Sequence, residues 1–186
     1  MEQVSLLSQK QTLKDNNLSS VSIDIVRNLD DLTSALEIRR KAFVLGKGVD
    51  EDIEFDGNDF ACTHILMKVD EKPAGTLRIR CFKDFAKMER LCIKDEFRGK
   101  RLYKNLLDYT ENYLKEKGYD CFIGYILSDL SEYWLHRGFR IYHQLSPIQK
   151  GSLTLLPVVY PFKPRKIKQH QSKIDLLAKE GHIRYY

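Results

Sequence analysis

The stretch Asp95 to Leu107, "DEFRGKRLYKNLL", gathers Arg98, Lys100, Arg101 and Lys104 around Gly99, just before a pattern that reads as a helix. A strand that turns through glycine into a helix N-terminus brings unpaired backbone N–H groups and the positive end of the helix dipole to one point, which is a general anion site. Glycine suits such a loop because a bound phosphate approaches the main chain closely and because some of the turn's dihedrals disfavour a Cβ. The chemistry on offer is phosphate or pyrophosphate binding, with a merely solvated helix end as the plain alternative. The five histidines are scattered without an i, i+4 second ligand, and Cys62, Cys81, Cys92 and Cys121 show no C-x-x-C spacing. Neither a metal site nor a disulfide framework is expected, and the cysteines read as reduced core thiols.

The elements that must position this loop follow from periodicity. "VSIDIVRN" alternates Val21, Ile23 and Ile25 with polar neighbours, as a strand does, and "DDLTSALEIRRKAF" places Leu32, Ala35, Leu36 and Phe43 at helical spacing behind a capping Asp30 or Asp31. "CTHILMKVD" and "AGTLRIRCF" read as a hairpin turning at "EKP", and "AKMERLCIK" as a third strand, the three forming antiparallel neighbours. After the loop, Leu102, Leu106, Tyr109 and Tyr113 step by four, three and four, so 101–117 forms an amphipathic helix stopped by Gly118. "DCFIGYI" is a covered strand, "DLSEYWLHRG" a short helix ending at Gly138, and "FRIYHQL" and "SLTLLPVVY" two closing strands. The order is β-α-βββ-α-β-α-ββ, an α/β (α+β) chain with a mixed, mostly antiparallel sheet of about seven strands flanked by helices.

The 186 residues, 42% hydrophobic and 31% charged, suit one globular domain. We expect a flexible N-terminal segment over 1–20, the folded domain over 21–160, and a basic tail over 161–186. The net charge of +5 equals the charge of Lys163, Arg165, Lys166, Lys168 and Lys173 in "PFKPRKIKQHQSK", so the body is close to neutral. Such a run can meet nucleic acid, an anionic membrane surface or an acidic protein, or carry no partner at all, and nucleic acid is not the expected one. "SKIDLLAKEG" has the spacing of a short amphipathic helix that could dock or form a homodimer. No apolar stretch reaches the length of a membrane span and the first residues lack a leader pattern, so the expectation is a soluble, cytoplasmic protein.

At this point the chain resembles the GNAT N-acetyltransferase superfamily over about residues 21 to 160. The strand, "RGKRLY" loop and helix resemble its R/Q-x-x-G-x-G/A site. "RRKAF" with "EFDGNDFACTH" looks like the R-x-x-V-F and E-x-D-x-x-D-x-x-x-x-H block of one branch of small bacterial acetyltransferases, matched by Arg39, Phe43, Glu54, Asp56, Asp59 and His64. "AGTLRIR" resembles that branch's G-T-x-R strand, "MERLCI" its fourth strand, and "YWLHRGF" its F-Y-x-x-x-G-F block. The resemblance implies a GNAT fold and an acetyl-CoA donor whose pyrophosphate is cradled by the backbone N–H groups of Arg98, Gly99, Lys100, Arg101, Leu102 and Tyr103. It also lays the pantetheine arm along the main chain of Leu91, Cys92 and Ile93. Three departures stand out: Arg101 and Tyr103 occupy the loop's fourth and sixth positions, Trp134 stands where many members have a proton-donating tyrosine, and Gly46 and Lys47 replace a Glu-Gln pair.

Transfer of an acyl group from a thioester to an amine needs a deprotonated amine, a donor for the developing oxyanion and a proton for the sulfur. Under the resemblance the Leu91 amide is the oxyanion donor, and Tyr133 takes the proton-donor place that Trp134 cannot fill. Glu89 is a candidate base, since regular alternation puts it on the face of Leu91; Glu54 and His64 are the others. Their plain alternatives are a paired carboxylate at Glu89, a hydrogen-bonded core histidine at His64, and a turn capped by Asp56 and Asp59. Three functions are open: N-acetyl transfer from acetyl-CoA to a small-molecule or protein amine, long-chain N-acyl transfer from acyl carrier protein, and a catalytically silent GNAT-like module binding a partner through its tail. None calls for a metal.

Overall fold

A computed structural model describes residues 11–15, 18–83, 85–150 and 153–162. The expectations for residues 1–10 and for the basic run from Lys163 onward lie outside the described residues. Among the described residues nine strands form one sheet: β1 (Gln11–Asp15), β2 (Leu18–Ile25), β3 (Thr63–Val69), β4 (Lys72–Cys81), β5 (Ala86–Ile93), β6 (Cys121–Leu127), β7 (Arg140–Ile141), β8 (Ile148–Lys150) and β9 (Leu153–Pro161). The helices are α1 (Leu29–Arg39), the single turn α2 (Glu51–Glu54), α3 (Leu102–Glu116) and α4 (Ser131–Leu135).

The sheet runs β1-β2-β3-β4-β5-β6-β9-β7, with β8 also paired to β9. All pairs are antiparallel except β5 with β6, which α3 joins as a crossover. On one face, Leu102, Leu106, Leu107, Tyr109 and Leu114 of α3 bury against Val21, Ile65, Leu77, Met88 and Phe122 of the strands. On the other, Ala35 and Ile38 of α1 pack on Leu66 and Cys92. Among the described residues no helix is long and apolar enough to cross a membrane.

The periodic segments fold as their patterns predict, with some corrections. The cap of α1 is Asn28, whose Oδ1 accepts from the Asp31 N–H at 2.8 Å, rather than Asp30 or Asp31. Beyond Arg39 the helix widens into a π-helical stretch, Arg40–Leu45. Strands β1 and β8 were not expected, and "FRIYHQL" yields only the two residues of β7, so among the described residues the sheet has nine strands rather than about seven. The strand at residues 11–15 lies within the segment expected to be flexible. Gly118, at φ 84°, ends α3 as its position predicts.

Gly75 of β4 sits where the apolar face leaves no room. A Cβ there would run into Ile93 Cδ1 and lie 3.1 Å from the Cys92 carbonyl oxygen. Gly75→Ala is expected to lower stability by about 1–3 kcal/mol, measured as a reduced urea midpoint with an unchanged slope.

Candidate functional site

Strands β5 and β6 pair only near their starts, where Ala86 faces Phe122 and Lys87 faces Ile123. Beyond that they diverge, so from Glu89 to Ile93 the β5 edge has no ladder partner in β6. Its other edge is also irregular: Thr76 pairs with Cys92 but Arg78 pairs with Glu89, leaving Arg90 and Leu91 opposite Leu77 alone. This is a β-bulge, and Arg90 within it has φ 58°. The extra residue breaks the alternation. Leu91 packs with the α3-side core, whereas Glu89 and Cys92 turn to the α1 side, so Glu89 does not share a face with Leu91.

The chain then passes through a short 3-10 turn, Asp95–Phe97, into the loop before α3. Gly99 adopts φ 82° and Arg101 adopts φ 56°, the left-handed geometry that a glycine at that position would supply. Among the described residues no backbone–backbone hydrogen bond engages the amides of Gly99 to Tyr103. Arg98, Lys100 and Arg101 stand exposed around them, Arg98 in a solvent-screened pair with Asp95 at 2.8 Å. Open amides, the dipole of a 15-residue helix and three cations together could hold an anion at the start of α3.

The side chain of Tyr103 leans away from that surface onto α4. Its ring lies 5.8 Å from Tyr133 and 6.3 Å from Trp134, and Trp134 continues the wall to Phe139 at 5.2 Å. The guanidinium of Arg137 caps the Tyr133 ring at 3.3 Å, lies 4.8 Å from the Tyr103 ring, and donates to the Tyr133 carbonyl. Partial burial holds the Tyr133 phenol above its ordinary range, with Arg137 opposing that shift.

Glu54, His64 and Glu89 occupy the opposite face in a buried charge network. His64, Arg78 and Glu89 are register partners across β3, β4 and β5 and so form one row. Arg78, fully buried, donates from Nη1 to Asp56 Oδ1 at 2.7 Å and Asp59 Oδ1 at 3.0 Å, and from Nη2 to Asp56 Oδ2 at 2.8 Å and Glu89 Oε2 at 2.7 Å. Arg39, also fully buried, donates from Nε to Glu54 Oε1 at 2.7 Å and from Nη1 to Asp59. Lys87 reaches the other oxygen of Glu89 at 2.7 Å, and Arg90 reaches Glu54 Oε2 at 2.8 Å. Four carboxylates and four cations thus neutralise one another away from water, the condition under which burial of charge is tolerable.

This geometry decides what these groups can do. The Glu89 carboxyl is buried, but Lys87 and Arg78 hold it down to about 2, so it stays ionised and is a weak base. Glu54, 1% exposed, is pushed upward by burial against the pull of Arg90 and Arg39. Burial lowers the His64 pKa and keeps the ring neutral; its Nε2 contacts the Asp59 carbonyl at 3.0 Å, and its Nδ1 finds no partner among the described residues. Asp56 accepts from the Asn58 N–H at 3.1 Å and so closes a turn, while also bridging Arg78. The ligand atoms of Asp59, Cys62 and His64 lie within 4.8 Å of one another. A cation there would displace two guanidiniums from Asp59 and meet a thiol that burial pushes up to about 12, so the cluster is unsuited to a metal ion.

Of the residues singled out in the sequence, the structure gathers Leu91, Cys92 and Ile93 with Arg98 to Tyr103 along one line from the bulge to the start of α3, with Tyr133 near its far wall. Cys92 contributes main chain only, its side chain being buried under α1. Sequence reasoning matched Arg78 only as the arginine of the G-T-x-R strand, with no role given to it, and missed Lys87, Arg90 and Arg137. An arginine inside the apolar run "AGTLRIR" was the available signal, because a buried guanidinium demands carboxylates around it.

A profile of the acetyltransferase (GNAT) family matches residues 32–136. A Bacillus subtilis (strain 168) protein named "putative acetyltransferase" is 35% identical over 105 residues, 55% of this chain and 71% of its own length. Escherichia coli ElaA superposes with a TM-score of 0.65 at 15% identity over 75% of this chain and 98% of its own. The PaiA N-acetyltransferase of Thermoplasma acidophilum, solved in complex with coenzyme A, gives a TM-score of 0.54 at 19% identity over 73% and 98%. The family profile and the curated relative define an acyltransferase. The chain belongs to the acetyltransferase (GNAT) family.

Two outcomes follow from the geometry. Arg101→Gly is expected to be more stable than Arg101→Ala by about 1 kcal/mol in thermal unfolding, since both lose the side chain but only alanine keeps a Cβ at positive φ. In acid, the pKa of His64 is lower folded than unfolded, so its contribution to stability falls as the pH drops below about 6.5; Glu54, raised by burial, opposes that loss as it protonates, while Glu89, Asp56 and Asp59, all lowered, add a second loss from about pH 4 downward. Urea midpoints from pH 8 to 3 read both phases, and His64→Gln removes the first.

Proposed function

We propose that this protein transfers an acetyl group from acetyl-CoA directly to an amine acceptor. The observation that carries the reading is the continuity of the unpaired β5 edge at Glu89 to Ile93 with the open amides of Gly99 to Tyr103. The pantetheine arm would pair with β5 at Leu91 to Ile93, and the pyrophosphate would sit on the start of α3. Arg101 in place of glycine is the feature that suggested acyl carrier protein as donor. Its left-handed backbone preserves the loop's shape, which supports coenzyme A instead.

In this reading the amine attacks the thioester carbonyl, the Leu91 N–H stabilises the oxyanion, and the carbon–sulfur bond breaks as Tyr133 gives its proton to the departing thiolate. A phenol raised above its ordinary range keeps its proton at neutral pH, and Arg137 stacked on its ring favours the phenolate that donation leaves. Glu54, Glu89 and His64 are committed to the charge network, so the amine gives up its proton to water.

Calorimetric titration with acetyl-CoA, coenzyme A and acetyl-pantetheine tests the reading. Micromolar binding of the two nucleotide forms, at least about tenfold tighter than the pantetheine, is the expected result. Tyr133→Phe should then lower kcat about a hundredfold with donor affinity unchanged. Absence of binding by either nucleotide form overturns the proposal.

A further inference from the structure

The bulge in β5 is held by an unusual anchor. A non-glycine residue in the left-handed region costs roughly 1–2 kcal/mol relative to ordinary geometry. A bulge also releases its residues from the ladder that would otherwise fix them. Arg90, at φ 58°, must therefore be held by something other than strand pairing. Its side chain provides the hold: Nη2 donates to the Ile53 carbonyl at 2.8 Å, Nε lies 2.8 Å from Glu54 Oε2 as an ion pair without hydrogen-bond alignment, and Asp56 Oδ2 stands 3.5 Å away. The anchor points are rigid in turn. Glu54 is buried and grips Arg39 through its other oxygen at 2.7 Å, and the same arginine donates to the Glu54 carbonyl at 2.8 Å.

We propose that Arg90 is a positioning residue: tethered to Glu54 and Ile53, it locks the β5 bulge so that the amide of Leu91 points into the cleft at the acyl carbonyl. The Leu91 N–H belongs to the peptide that follows Arg90, so the dihedrals of Arg90 set its direction. If the tether is lost, the peptide is free to rotate, and an oxyanion donor that rotates is no longer preorganised. The Arg90 guanidinium lies on the α1 side with Glu54 and Ile53, and in this proposal it acts through the backbone it holds. The inference rests on the acetyl-transfer reading above and adds to it the residue that aims the oxyanion donor.

The test uses the full chain and acetyl-CoA labelled with 13C at the acetyl carbonyl, and needs no acceptor. In the unaltered protein the carbonyl resonance is expected to move downfield on binding, as hydrogen bonding to the carbonyl oxygen polarises it. Arg90→Gly removes the tether without adding backbone strain and is expected to lose more than half of that shift while acetyl-CoA still binds at the α3 loop. Arg90→Lys, which keeps a charge on Glu54 but lacks the guanidinium fork, should recover part of it. With an acceptor in hand, kcat of R90G should fall on the order of a hundredfold at an unchanged KM for acetyl-CoA. An R90G protein that is less stable but shows the full carbonyl shift overturns the proposal alone, because a purely structural arginine would behave that way. Should R90G not fold, R90K decides, with a full shift overturning the proposal and a reduced one supporting it. Failure of the unaltered protein to bind acetyl-CoA overturns the acetyl-transfer reading and this proposal together.

Discussion

Arg78 is the fixed point of this molecule. A guanidinium placed in the middle of a central strand, with no solvent contact, is stable only if its donors are met by ionised acceptors at good geometry. Meeting that demand dictates where Asp56, Asp59 and Glu89 must be, and so where the chain between α1 and β3 must run. Arg39 repeats the constraint one helix away, sharing Asp59 with Arg78. The connection from Arg39 to His64 is a series of short helical turns. It is held to the sheet by charge rather than by an apolar stripe, and removing any one partner would strand the others in a low-dielectric interior.

The two faces of the sheet consequently do different work. On the α3 side, apolar and aromatic packing builds the domain and the wall that runs from Tyr103 to Phe139. On the α1 side, the ion-pair network sets backbone positions. Strand β5 belongs to both: Met88, Leu91 and Ile93 face the α3-side core, while the bulge breaks the alternation and brings Glu89 and Arg90 together into the network.

Most of the fold was legible in the order of residues, because amphipathic strands and helices write their period directly. The α3 stop at Gly118 and the strand-turn-helix frame of the loop follow from local chemistry alone. What could not be read has a common cause, namely that it depends on registry between distant segments. The bulge at Arg90 carries no glycine to announce it, so simple alternation places Glu89 beside Leu91 when the fold separates them. The carboxylates around Arg78 lie eleven to twenty-two residues away along the chain, beyond any helical or strand period. The polar "QTLKD" becomes a strand because β2 offers an edge to pair with, and the three residues of β8 are too few to show a period. The loop's resemblance to a pyrophosphate site was visible, but whether Arg101 would keep a glycine's backbone geometry was not.

The placement of β9 has a bearing on how the molecule is made. Strands β1 to β5 pair in chain order, each with its predecessor, and can assemble as they appear. Strand β6 meets β5 at only two residue pairs, whereas seven pairs bind it to β9, which also carries β7 and β8. During vectorial synthesis the second half of the sheet must wait for residues 153–161 before it can close. A nascent chain would therefore hold a largely assembled first half beside an unfinished second, with an apolar strand, "CFIGYIL", exposed at the junction. The groove between β5 and β6 is then among the last features to form, and a newborn chain lacks it until the final described strand is in place.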